Sequence, residues 1–173
     1  EARRSWSDTD NGRGRLDRRW EAPAGANLLV SMIVRDLPDH VHEVTQRVAL
    51  AAAAACHEVA AVAVEMKWPN DLLLDGAKIA GILAQTGLVG GRLDHVVVGI
   101  GINVAWAPEG AACLDAVSLQ APVDRFTLLA ALLSAYDALG TQAGGVPAAY
   151  RAGLATIGRR VRVTLPEGDE RGA

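Results

Sequence analysis

The sequence predicts an α+β fold built on a mixed, largely antiparallel sheet with helices packed on one face. Three observations predict it. Residues 65–104 read as an antiparallel meander of short apolar runs divided by turn residues, residues 27–35 alternate as a strand with one covered face, and two further stretches carry apolar stripes at helical spacing.

Taken in order, Glu1 to Asn11 is polar, without a periodic apolar pattern, and reads as loosely attached. Gly12 to Trp20 packs four arginines and two glycines into nine residues, a flexible loop dense in anion-binding donors, with an indole at its end to cover something apolar. In Asn27 to Arg35 the residues Leu28, Val30, Met32 and Val34 mark the apolar face of a strand. A helix follows from about Val41 to Ala60, its stripe of Val44, Val48, Ala51 and Ala55 small enough to lie close to the sheet. The meander then runs through Lys67, where Pro69 keeps Trp68 extended, through Leu72 to Leu74, and into a two-residue turn at Asp75-Gly76. Its return strand starts at Lys78, a glycine-rich turn spans Gly87 to Arg92, and His95 to Val104 comes back as the last strand. Ala105 to Val123 reads as loop, Asp124 as the cap of a helix from Arg125 to about Leu139 that Gly140 ends, and Pro147 as the opening of a short helix containing Tyr150. Ile157 to Leu165 reads as a linker entering a strand.

Composition narrows the function. A chain of 173 residues, 50% of them hydrophobic, buries one substantial core with a fragment of a second unit. A net charge of −3 argues against nucleic-acid binding, and the longest apolar runs are too short for a membrane span. Two cysteines, Cys56 and Cys113, suit a reduced cytoplasmic protein, and no zinc-type spacing or other metal set appears; His42 and His57 read as surface residues.

The chemistry concentrates in the meander. The chain has 17 Lys and Arg residues, yet its two lysines are Lys67 and Lys78. In a chain that otherwise uses arginine as its cation, this pattern suggests a requirement for a compact ammonium. Gly99 and Gly101 leave room for a ligand to lie against the sheet, and Asn103 offers an amide to read a purine edge. Cations converging on a carboxylate and a phosphate suit adenylation, which needs no protein nucleophile.

Gly12-Arg-Gly-Arg15 with Trp20, Lys67-Trp-Pro-Asn-Asp71, Lys78-Ile-Ala-Gly-Ile-Leu83 and Gly99-Ile-Gly-Ile-Asn103, in that order, resemble the biotin protein ligases over residues 9 to 165. The resemblance implies a two-step reaction, in which biotin and MgATP give biotinyl-5′-AMP and a lysine of a biotin carboxyl carrier domain of a carboxylase takes the biotinyl group. By motif it implies catalytic roles for Arg15 and Lys67, and biotin or adenylate contacts for Gly12, Arg13, Gly14, Arg15, Lys67, Lys78, Gly99 and Gly101. Arg18, Trp20 and Asn103 fall to ATP, with Mg2+ accompanying the nucleotide. A lipoate-type acyl ligase, or a homologue that binds biotin without turnover, is the alternative.

The resemblance also implies that residues 1–157 form a catalytic domain incomplete at its amino end, and 158–173 the start of a small SH3-like β-domain. The family's upstream serine/threonine-asparagine segment and the winged helix of its DNA-binding members have no counterpart here, and Thr9-Asp10-Asn11 stands where the family commonly has glutamine-threonine-alanine. These features predict no DNA or membrane partner, weak biotin binding by these residues alone, and an uncovered edge compatible with a homodimer. Lys67 and Gly99 to Gly101 are expected to face one cleft, with the helices on the other side of the sheet.

Overall fold

The computed structural model describes residues 4–5, 11–13, 19–119, 121–140, 145–164 and 170–172. The strands are β1 (Arg4–Ser5), β2 (Asn11–Arg13), β3 (Arg19–Glu21), β4 (Leu28–Val34), β5 (Glu65–Lys67), β6 (Asp71–Leu74), β7 (Ala77–Val89), β8 (Arg92–Ile102), β9 (Arg162–Thr164) and β10 (Glu170–Gly172). The helices are α1 (Glu43–Ala60), α2 (Arg125–Gly140) and α3 (Val146–Ala152). The main sheet has the order β1-β4-β8-β7-β6-β5, and every neighbouring pair in it is antiparallel. The α+β class, the one-sided placement of the helices and the largely antiparallel sheet agree with the sequence reading, with parallel bridges confined to Met66–Leu154 and Lys78–Ala111 among the described residues.

The meander differs in detail from its expectation. The chain reverses at Trp68 to Asn70, so that Lys67 pairs with Asp71 and two short strands stand where one extended segment was expected. Asn70 closes that turn onto β7: its carbonyl accepts from the Ile82 N–H at 2.8 Å and its Nδ2 donates to the Ile82 carbonyl at 2.9 Å. The Asp75-Gly76 turn forms as predicted, with φ of 50° and 82°. The next turn is tighter than predicted, confined to Gly90-Gly91 at φ 58° and 79°, so β7 continues through Gly87 to Val89. Gly87 serves there by its missing side chain, since a Cβ would fall inside the His95 ring that lies over it.

Alternation along the strands defines the core. Leu28, Val30, Met32 and Val34 of β4 stand opposite Ile102, Ile100, Val98 and Val96 of β8, all of them buried. This face packs under α1, whose buried Val44, Val48, Ala51, Ala52 and Ala55 present little bulk and allow a close approach. The second helix lies against α1 and contributes buried Leu128 and Leu132. Beyond α3, the chain runs beside β5, where the Met66 N–H bonds the Gly153 carbonyl and the Ala155 N–H bonds the Met66 carbonyl.

Asp124 caps α2 as expected. Its Oδ1 accepts from the Thr127 N–H at 2.7 Å and from the Thr127 hydroxyl at 2.8 Å. The Thr127 backbone bond, and then its hydroxyl, hold the Asp124 carboxyl below its ordinary value. A depressed folded-state pKa means that the cap stabilises above the unfolded carboxylate value of about 3.9 and is lost as pH falls through the lower folded value. Asp124→Ala is therefore expected to lower Tm at neutral pH, with the gap from the parent chain closing in strong acid. A gap that stays constant across that titration contradicts the assignment.

Near its ends the chain departs from the reading. Asn11–Arg13 and Arg19–Glu21 pair as a hairpin, with Gly12 opposite Trp20, where a flexible loop was expected. Residues 14 to 18, including Gly14, Arg15 and Arg18, lie outside the described residues. Arg4–Ser5 pairs with β4 at Met32 and Ser31, so part of the segment read as loosely attached belongs to the main sheet.

Candidate active site

The face of the sheet opposite the helices carries Lys67, Lys78, Gly99 and Gly101 of the residues that the sequence singled out. Pairing places Lys67, Asp71, Gly81, Gly101 and Leu29 in one row across β5, β6, β7, β8 and β4. Directly opposed residues share a face, so Lys67 and Gly101 look out on the same side, as expected. Gly99 lies two residues along that face, between Ser31 and Leu83.

Lys78 reaches this face through an irregularity. Leu72 pairs with Ala80, but Leu73 pairs with Lys78, leaving Ile79 as an extra residue. Strict alternation from Ala80 would put Lys78 on the core side. The bulge lets Ile79 be fully buried instead and turns Lys78 outward. Its Nζ lies 2.6 Å from Asp71 Oδ1 and 5.5 Å from the centroid of the Trp20 ring. Lys67 is exposed at the end of β5, and among the described residues no ion pair involves it.

The indole of Trp20 lies on the sheet. A Cβ at Gly101 would come within 2.7 Å of Trp20 Cε2, and one at Gly81 within 2.9 Å of Trp20 Cζ3. The two glycines, neighbours across β7 and β8, thus form a shallow seat for the ring. This corrects the expectation that a ligand lies directly on both Gly99 and Gly101: the indole covers Gly101, while Gly99 has ordinary clearance, its would-be Cβ 3.6 Å from Ser31 Oγ. Trp20 Nε1 is buried and has no hydrogen-bond partner among the described residues. Such a donor is costly to leave unmet, so it is suited to an acceptor on a bound molecule.

Asn103, directly after β8, is buried. It is 2% exposed, its Nδ2 donates to the Ala112 carbonyl at 2.9 Å, and its Oδ1 accepts from Asn27 Nδ2 at 3.3 Å. Asn27 in turn accepts from the Val104 and Trp106 N–H groups at 2.9 and 3.3 Å. One N–H and one lone pair of the Asn103 amide are thus engaged inside the protein.

The sequence reading missed two residues as site members, Asp71 and Gly81. Both sit inside motifs it quoted, and the signal that identifies them is the register that aligns them with Lys67 and Gly101. Nucleophilic catalysis finds no support in Cys56, whose thiol burial pushes up to about 12. Among the described residues no group of three His, Cys, Asp or Glu side chains is arranged to hold a metal, and no helix is long and apolar enough to cross a membrane.

An antiparallel sheet with helices behind it and glycines, lysines and an indole in front defines an open-faced ligand-binding α+β domain. The chain belongs to the biotin/lipoate A/B protein ligase family, whose sequence profile matches residues 8–103. It is 38% identical over 174 aligned residues to the biotin–[acetyl-CoA-carboxylase] ligase of Mycobacterium tuberculosis, covering 92% of this chain and 63% of that one. This chain therefore spans just under two thirds of that relative. In structure it is similar to the biotin protein ligase from Aquifex aeolicus in complex with biotin and ATP, with a TM-score of 0.79 at 22% identity over 95% of this chain and 73% of the other. The biotin protein ligase from Leishmania major in complex with biotinyl-5-AMP gives a TM-score of 0.70 at 22% identity, over 94% and 84%. At these identities the structural likeness establishes the fold.

Proposed function

We propose that this chain carries the adenylating core of an ATP-dependent biotin–[acetyl-CoA-carboxylase] ligase. In the first step a carboxylate oxygen of biotin attacks the α-phosphorus of ATP, the bond to the bridging oxygen breaks, and biotinyl-5′-AMP and pyrophosphate result. In the second, the amine of a carrier-domain lysine attacks the acyl carbon, AMP leaves with the bonding electrons, and the amine proton passes to solvent. The observation that carries the reading is the open sheet face, where two ammonium groups flank a floor of Gly81, Gly99 and Gly101. Lys78 supplies positive charge beside that floor, where negative charge builds on phosphate oxygens, and Lys67 adds a second, more exposed cation. The Trp20 ring and its unmet N–H form the apolar wall and one donor.

Gly12, Arg13, Gly14, Arg15 and Arg18 are assigned to the ligand by their motif. Mg2+ enters with the nucleotide as MgATP, on the phosphate oxygens. We assign residues 1–157 to the catalytic body and 158–173 to an SH3-like unit, because β9 and β10 pair with each other and with no strand of the main sheet. The partners proposed are biotin, MgATP, a carboxylase carrier domain and a second copy of the chain; neither DNA nor a membrane is included. The two free thiols suit a cytoplasmic setting.

Because weak biotin binding is expected of these residues alone, incubation with MgATP and a high concentration of biotin is expected to release pyrophosphate slowly but measurably and, with a carrier domain present, to biotinylate it. Release with lipoate in place of biotin moves the substrate to the lipoate side of the family. Calorimetric binding of biotin without pyrophosphate release reduces the chain to a binding protein.

A further inference from the structure

The bulge that turns Lys78 onto the open face is held from outside the strand pair. Strand β8 ends at Ile102, and the loop after it takes its place beside β7. There the Ala112 N–H bonds the Lys78 carbonyl at 2.9 Å, and the Asn103 N–H bonds the Ile79 carbonyl at 2.9 Å. Lys78 and Ala111 form a parallel bridge at the same point. Both backbone carbonyls of the bulged pair are thus taken up by groups that Asn103 organises, because its Nδ2 holds the Ala112 carbonyl while the Leu114 N–H bonds its own carbonyl at 3.1 Å. Asn27 braces the Asn103 side chain from behind, from the start of β4.

We propose that Asn103 is a positioning residue for Lys78: by fixing Ala112 against β7 it holds the bulge that keeps the Lys78 ammonium on the open face, beside Asp71 and Trp20. The inference rests on the proposed reaction for its functional meaning, but its geometric content stands apart. Without the Asn103 amide, the Ala112 carbonyl loses its donor, the loop drifts from β7, and the bulge loses the bond to the Lys78 carbonyl. Regular alternation then becomes accessible, and it points Lys78 away from Asp71.

The chain's two lysines make this measurable without any turnover. Acylation of the folded chain with limiting N-hydroxysuccinimidyl acetate, resolved by peptide mass spectrometry, reports Lys67 and Lys78 separately. In the parent chain Lys78, ion-paired to Asp71 and lying beside Trp20, is expected to react about two- to fivefold more slowly than the exposed Lys67, the scale of a part-exposed ion pair that has to open before the amine reacts. Asn103→Ala is expected to bring Lys78 to the Lys67 rate and leave Lys67 within about twofold of its parent value. Asp71→Asn is expected to do the same, and Asn103→Ala to add nothing in that background.

An unchanged Lys78 rate in folded Asn103→Ala, or an equal rise at both lysines, overturns the proposal. Should Asn103→Ala not fold, Ala112→Pro removes the N–H that reaches the Lys78 carbonyl, with φ also fixed there, and must show the same selective rise, an unchanged Lys78 overturning the proposal there too. Since none of these readings uses biotin or ATP, a failed biotin assay and a failed positioning role remain distinct results.

Discussion

Replacing Lys78 with alanine is expected to slow pyrophosphate release from biotin and MgATP by about two powers of ten or more, roughly 3 kcal/mol of transition-state stabilisation. The size follows from where the ammonium sits. It lies against the glycine floor, with Asp71 on one side and the face of Trp20 on another, so a ligand bound over that floor would sit beside it and shield it from water. Lys78→Arg is not expected to restore the rate, because the planar guanidinium neither fits the contact with Gly81 nor keeps the single short bond to Asp71. Lys67→Ala, at the position to which the family motif gives a catalytic role, is expected to slow the reaction by a similar factor of about two powers of ten. Near-parental pyrophosphate release by Lys78→Ala, with the fold intact, removes this residue from the chemistry. A larger loss in Lys67→Ala than in Lys78→Ala moves the reacting phosphate toward β5.

What the sequence revealed, and what it hid, follows from the range over which each signal acts. Alternation in Leu28 to Val34, the Asp75-Gly76 turn and the Asp124 cap are local, each set by a few neighbouring residues, and each was legible. The reversal at Trp68 to Asn70 was hidden because its stabilising bonds come from Ile82, on another strand. The bulge at Lys78 was hidden for the same reason: its supports lie at Asn103 and Ala112, and only the folded register brings them together. The internal role of Asn103 was hidden too, because nothing local shows that Asn27 and Ala112 hold its amide. The seat that Gly81 and Gly101 form for Trp20 joins three strands and was equally out of reach.

That seat sets the second large effect. Gly101→Val leaves the backbone of β8 undisturbed, as valine is a strong strand former and Gly101 needs no positive φ. The new side chain instead projects from the open face, where its Cβ alone meets Trp20 Cε2 at 2.7 Å and Leu29 Cδ2 at 3.0 Å. The indole has to lift, taking with it the unmet N–H and the ring face above which Lys78 sits. Overpacking of this kind costs roughly 1–3 kcal/mol, and because the ring already rests on Gly101 in the free chain, part of it is expected as a lower Tm. Displacing the ring also removes the wall and donor offered to the ligand, so biotin affinity is expected to drop by about tenfold or more. Gly99→Ala separates the seat from the rest of the floor. Its Cβ has ordinary clearance in the free chain, so any loss of affinity there, measured by calorimetry at unchanged Tm, maps ligand lying over Gly99 itself. Parental biotin affinity in Gly101→Val places the ligand away from this face and takes the adenylation site with it.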